Sequence, residues 1–107
     1  MIITIISPIK NKEEYEKLYV ELSLLGHVVL LPVDARGKGD VIVHEQLMAV
    51  HRKKLRMADL VVVCTVDGYM GQDTLAEIAY AQYILGKPIR QHDIVKKEDK
   101  GEVTEYD

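Results

Sequence analysis

Apolar and polar positions fall in blocks along the chain, and each block predicts an element. Residues 2–6, Ile-Ile-Thr-Ile-Ile, are β-branched throughout. That pattern belongs to a strand buried on both faces of a parallel sheet. Ser7-Pro8 breaks it. Asn11, with Glu14 three residues on, has the form of a capping box. Tyr15, Leu18, Tyr19, Leu22 and Leu25 follow at helical spacing, and Gly26 closes the helix. Residues 27–33, HVVLLPV, read as a second apolar strand, and 34–40, DARGKGD, as a polar loop. Leu47, Val50, Leu55 and Ala58 mark one face of a second helix from about Val43 to Met57. Residues 59–66, DLVVVCTV, form a third buried strand. A Gly-containing loop then enters a third helix over 74–85, apolar on nearly every side, which Gly86-Lys87-Pro88 stops. Residues 88–95, PIRQHDIV, are a weaker strand, and the tail from about 94 to 107 is charged and reads as frayed.

The order βαβαβαβ implies a parallel α/β sheet with right-handed crossovers. We expect a flavodoxin-like three-layer sandwich of four or five strands in the order 2-1-3-4. The polar fourth strand suits an edge. The second strand forms the other edge, yet it is almost wholly apolar, and an uncovered apolar edge is a liability. With the all-round apolar third helix, this predicts a homo-oligomer, a dimer or larger.

Composition narrows the class of partner. The 107 residues fit one domain over 1–107, and 48% hydrophobic with 29% charged residues is ordinary for a globular chain. Seventeen acidic against 14 basic residues leave a net charge of −3. That balance gives no reason to expect nucleic acid or a membrane as partner. A small metabolite or another protein chain remains. The single cysteine, Cys64, cannot staple the chain, which suggests a cytoplasmic setting. The N-terminal apolar run lacks a preceding basic segment and reads as a strand rather than a signal peptide. No apolar run is long enough to span a bilayer. His27, His44, His51 and His92 show no metal-ligand spacing, so no metal is expected.

Topology places the site. In an open parallel sheet, ligands bind at the carboxyl ends of the strands where the winding reverses, here between strands 1 and 3. The loops there carry Ser7, Lys10, Asp34, Arg36, Asp67, Asp73 and Thr74. Tyr69, on the last loop, suits either a stacking contact or no role, and Asp67 either a ligand hydroxyl contact or a loop cap. Asp59, at the opposite end of its strand, reads as structural, and Cys64, Met48 and Met57 as core.

Glu77 is the one carboxylate inside the apolar third helix. On a helical wheel it shares a face with Ala81 and Ile84, while Gln82 points away to solvent. Two readings stay open. Thr74-x-x-Glu77 matches a capping box, with Glu77 bonding back to the Thr74 backbone. A carboxylate half-buried at a crevice also suits a nucleophile or base. Spacing alone puts the capping reading first.

The stretch from His44 to Ile89 resembles the core of the nucleoside 2-deoxyribosyltransferase superfamily, which includes the deoxynucleoside 5′-monophosphate N-glycosidases. The matching elements are Ala58-Asp59, Val61 to Val63, Asp73-Thr74, Glu77-Ile78-Ala79-Tyr80-Ala81 and Gly86-Lys87-Pro88. The resemblance implies cleavage or transfer at the N-glycosidic bond of a deoxynucleoside or its monophosphate, without metal or organic cofactor. The catalytic glutamate of the family falls on Glu77. Four positions depart from the pattern. His51 stands where an aspartate contacts the base, Gly71 where transferases carry an aspartate, Asp73 where a glycine is usual, and Thr4 near a first-strand tyrosine. Asp73 disfavours a phosphate at the helix N-terminus, leaving Lys10 and Arg36 to supply positive charge. The alternative is a non-catalytic nucleotide-binding or interaction module on the same fold.

Overall fold

The computed structural model describes residues 1–37 and 41–97, with only the backbone of Val41 and Ile42. In chain order the elements are β1 (Ile2–Ile6), α1 (Lys12–Leu24), β2 (Val28–Leu30), α2 (Val41–Met57), β3 (Leu60–Val66), α3 (Gln72–Ala79) and β4 (Ile89–Ile94). A single 3₁₀ turn, Ile9–Asn11, precedes α1, and a π turn, Tyr80–Ile84, continues α3. The four strands form one parallel sheet in the order β2-β1-β3-β4, as the sequence predicts.

The β-branched runs bury both faces of the central strands. On one face Ile3, Ile5, Val62 and Cys64 pack under Tyr15 and Leu18 of α1. On the other, Ile6, Val61 and Val63 meet Leu55, Ala58 and Ala81 from α2, its end and the π turn. Burying each of the larger side chains contributes roughly 1.5–3 kcal/mol. Two threonines interrupt these runs without leaving buried hydroxyls unpaired. Thr4 donates to the Lys54 carbonyl at 2.7 Å, and Thr65 to Asp93 Oδ1 at 2.6 Å. Asp59 does the structural work expected of it. Its carboxylate accepts the Ile2 N–H at 2.7 Å, and its own N–H donates to the Ile2 carbonyl at 2.7 Å. This double bracket sets the β1–β3 register.

Gly26, at φ +92°, ends α1 in a Schellman motif. Its N–H donates to Ser23 O at 2.9 Å and the His27 N–H to Leu22 O at 3.2 Å. The start of the same helix departs from expectation. Asn11 makes no side-chain capping bond, because the 3₁₀ turn holds it at φ −91°, ψ 22° instead of the extended cap conformation. Glu14 turns instead to Lys96, beyond β4, and that contact holds its carboxyl below the ordinary range.

Other expectations need similar correction. β2 pairs with β1 over three residues, not seven, and beyond Leu31 the chain leaves the sheet at Pro32, which has no N–H to give a ladder. Tyr19 on α1, Leu25 just past its end, and Val50 and Met57 on α2 lie exposed instead of packing in the core. No fifth strand is present among the described residues, and the tail residues 98–107 lie outside them. No described helix is long and apolar enough to cross a membrane.

Candidate active site

At the carboxyl ends of β1, β2 and β3 lies a cavity of about 640 Å³. Its volume is in the range of small-molecule sites. The loop after β1 contributes Ser7 to Lys10, the segment after β2 Pro32, Val33, Ala35 and Arg36, and the loop entering α3 Tyr69 and Gly71 to Thr74. One wall comes from α2, through Val43, His44, Leu47, Met48 and His51. Glu77 of α3 completes the lining.

The local chain geometry explains how Glu77 reaches this cavity. Gly71, at φ −80° and ψ 174°, is the N-cap of α3, and its carbonyl accepts the Leu75 N–H at 3.0 Å. The helix thus begins at Gln72, so Thr74 lies inside it and the Thr74–Glu77 capping box does not form. Glu77 sits in the second turn, with its side chain only 12% exposed. Ala81, four residues on, is fully buried, and Gln82 is exposed, both as the wheel predicts. Ile84 is a correction. The π turn adds a residue to the last turn, which leaves Ile84 exposed and packs Leu85 inward.

The partner of Glu77 is His51. Its Nε2 lies 2.9 Å from Glu77 Oε2, and the two side chains are 7% and 12% exposed. The approach is off the axis of a hydrogen bond, so neither ring nitrogen of His51 has an aligned partner among the described residues. A second imidazole–carboxylate contact lies at the mouth, where His44 Nε2 is 3.8 Å from Asp73 Oδ2 and both side chains are exposed. His44 and His51 are two turns apart on α2, and Asp73 and Glu77 are one turn apart on α3. Two facing stripes therefore meet in two rungs, one buried and one wet.

Further from the cavity the two helices are locked together. Arg56 Nη1 donates to Tyr80 Oη at 2.9 Å, and the Arg52 guanidinium lies 5.6 Å from the centroid of the same ring. Lys87 Nζ donates to the Arg56 carbonyl at 3.0 Å. Ala81, with no bulk beyond a methyl, lets the helices approach.

Of the residues picked from sequence, Ser7, Lys10, Arg36, Tyr69, Gly71, Asp73 and Glu77 line this one cavity. Ser7 is buried and donates to the Cys64 carbonyl at 2.8 Å. Lys10 places its ammonium 3.6 Å from the Tyr69 ring centroid, in cation–π contact. Arg36 grips Asp34 through two bonds of 2.9 and 2.8 Å, which pull the aspartate well below the usual carboxylate range and raise the arginine.

Asp34 and Asp67 stay outside the lining. Asp67 and Gly68, at φ +49° and +72°, make a tight turn closed by the Tyr69 N–H to Val66 O at 3.1 Å. The Asp67 carboxylate accepts the backbone N–H groups of Lys96 and Lys97 at 2.9 and 3.0 Å, which lowers its pKa. Of the two roles open to it, the loop-holding one is made.

Apart from His51, which the resemblance sets at a base-contacting position, the α2 wall is what the sequence reading missed. His44, Leu47, Met48 and His51 are spaced i, i+3, i+4, i+7, the signature of an inward stripe. Two histidines in that stripe disguised it. Among the described residues no cluster of three or more His, Cys, Asp or Glu side chains could hold a metal ion.

No protein-family model matches the chain, and no curated protein does. Among solved structures it is similar to a 2-deoxyribosyltransferase from the psychrotolerant bacterium Bacillus psychrosaccharolyticus, described as a biocatalyst for nucleoside synthesis. The TM-score is 0.75 at 21% identity, over 98% of this chain and 81% of that one. The four-stranded α/β fold is thus that of a deoxyribosyltransferase.

Proposed function

We propose that the protein cleaves or transfers at the N-glycosidic bond of a (deoxy)nucleoside or its 5′-monophosphate, with Glu77 as nucleophile. The observation that carries this reading is the Glu77 carboxylate, nearly withdrawn from water, on the wall of a nucleoside-sized cavity and not engaged in capping its helix. The likeness in fold to a 2-deoxyribosyltransferase supports it.

In the first step a Glu77 oxygen bonds to C1′ while the C1′–N bond breaks, and its electron pair leaves with the base. Positive charge develops at the sugar, and a fixed negative carboxylate stabilises it. In the second step water or another base attacks C1′, and the pair of the ester bond returns to Glu77. Two displacements retain the configuration at C1′. Val33, Leu47, Met48 and Tyr69 offer apolar surface to a planar base. Ser7, Gly71 and Asp73 also line the cavity. The Lys10 ammonium, with no carboxylate partner among the described residues, suits a 5′-phosphate better than Arg36, whose charge Asp34 already offsets.

A binding-only module is the second reading. What favours it is the 2.9 Å approach of His51 Nε2 to Glu77 Oε2, which occupies one of the two carboxylate oxygens. Chromatography of free base decides. Each common 2′-deoxynucleoside and its monophosphate is incubated with and without an acceptor base, beside Glu77→Gln. Release that disappears in the variant supports catalysis. Dependence on acceptor separates transferase from hydrolase, and affinity without release supports the module.

Exposed Leu24, Leu25 and Val28 at the β2 edge, and Tyr83 and Ile84 after α3, support a homo-oligomer, a dimer or larger. Light scattering on the eluting protein reads the mass, and a monomer at micromolar concentration removes that proposal. The lone buried Cys64, whose thiol burial pushes up, fits a cytoplasmic setting.

A further inference from the structure

The buried rung between α2 and α3 carries more than packing. His51 is 5% exposed, both ring nitrogens are out of contact with solvent, and neither has an aligned hydrogen-bond partner among the described residues. Buried polar atoms are nearly always paired, so such an exception calls for a reason. A histidine serving only to fill space would pair its nitrogens with backbone or turn them to water. His51 instead presents Nε2 to one oxygen of Glu77, Oε2, and lines the same cavity. The arrangement does not depend on that contact for its existence. Arg52, Arg56 and Lys87 fix α2 against the Tyr80 end of the neighbouring helix independently. The backbone therefore delivers the imidazole to the carboxylate.

We propose that His51 is the positioning residue for Glu77. It engages Oε2 and so leaves Oε1 to face the anomeric carbon of the bound nucleoside. This rests on the reaction proposed above. The physical need is plain. The terminal torsion of a glutamate is broad and nearly two-fold, so a free carboxylate samples many orientations. Attack requires one oxygen at near-contact distance and in line with the bond that breaks. A donor on the other oxygen removes the wrong orientations before substrate arrives. An off-axis approach does not exclude the role, since catalytic hydrogen bonds commonly tighten only when substrate binds. Rotation of the imidazole about its own soft torsion suffices to align it.

The test uses the full chain, with base release from the best substrate, and compares His51→Leu with His51→Gln. Leucine fills the volume without a donor. Glutamine carries an amide N–H to nearly the same reach. A positioning role predicts that His51→Leu lowers kcat by about 10–100-fold with KM within about threefold, the split expected when only transition-state geometry suffers. His51→Gln should recover most of that loss. A structural role would change melting temperature and leave kcat of the folded fraction alone. Imidazole NMR supplies a second readout that needs no turnover. The His51 ring signals should move in Glu77→Gln, while those of His27 and His92 stay in place. Unmoved His51 signals overturn the proposal, as does an active wild type whose kcat survives His51→Leu or drops equally in both variants. A wild type that releases no base overturns the reaction itself and this role with it, while the NMR shift still reports whether the contact exists.

Discussion

Two kinds of carboxylate sit at the same end of the sheet. Asp34 and Asp67 are each committed to the chain by aligned bonds. One holds a guanidinium in two bonds and the other holds two backbone N–H groups. Both are pulled below the usual carboxylate range by those partners, and both lie outside the cavity. Among the described residues Glu77 has one off-axis contact, to His51, and it lines the cavity. The difference teaches how to separate acids that serve the chain from one free to serve a ligand. Position in a loop at the right end of a strand does not do it. Lining the cavity without an aligned bond to the chain does.

The sharpest way to break this contrast is Glu77→Gln. The shape is kept and the charge lost, so turnover should fall by about 10³-fold or more while ligand affinity changes little. Calorimetry beside the base-release assay checks both halves. Next in size is Ala81→Leu. Adding three carbons at a fully buried contact costs about 1–3 kcal/mol by overpacking and pushes His51 away from Glu77. Denaturant melts read the first effect and kcat the second.

Asp67→Asn should move stability and leave activity alone. The sign follows from the lowered pKa. The folded state holds Asp67 ionised more tightly than the unfolded chain does, so its contribution is present above the ordinary carboxylate range and fades as pH falls through the lower folded value. The variant should melt below wild type at neutral pH, and the gap should close as pH falls through that lower folded value. Thermal melts across that range check it. Gly71→Ala should matter least. Its φ of −80° suits any residue, and an added Cβ would meet only Tyr69 Oη at an ordinary 3.7 Å. Unchanged Tm and kcat are expected. A large loss would mean that bound substrate presses on that Cβ.

The sheet order was legible because buried parallel strands need long β-branched runs, and 2–6 and 60–66 supply them. The site loops followed from topology alone. The α2 wall did not. The faces 47–50–55–58 and 44–47–48–51–55–58 share Leu47, Leu55 and Ala58, and differ in Val50 on the first against His44, Met48 and His51 on the second. Hydrophobicity chose Val50, and the fold chose His51, because a cavity with a charged wall lies there. The capping box failed for a related reason. Thr74-x-x-Glu77 is a sound local pattern, but the extended Gly71 starts the helix earlier, and one added turn changes a cap into a wall residue. The phase of the last turn was likewise hidden, since nothing in Tyr80–Ile84 announces a π turn.

The central claim is that Glu77 forms a bond to the sugar. Acid quench of the enzyme during turnover of its best substrate, followed by peptide mass mapping, tests it directly. The account predicts a glycosyl adduct on the peptide containing Glu77, absent from Glu77→Gln. Base release that continues undiminished in Glu77→Gln, with no adduct in either protein, would contradict it.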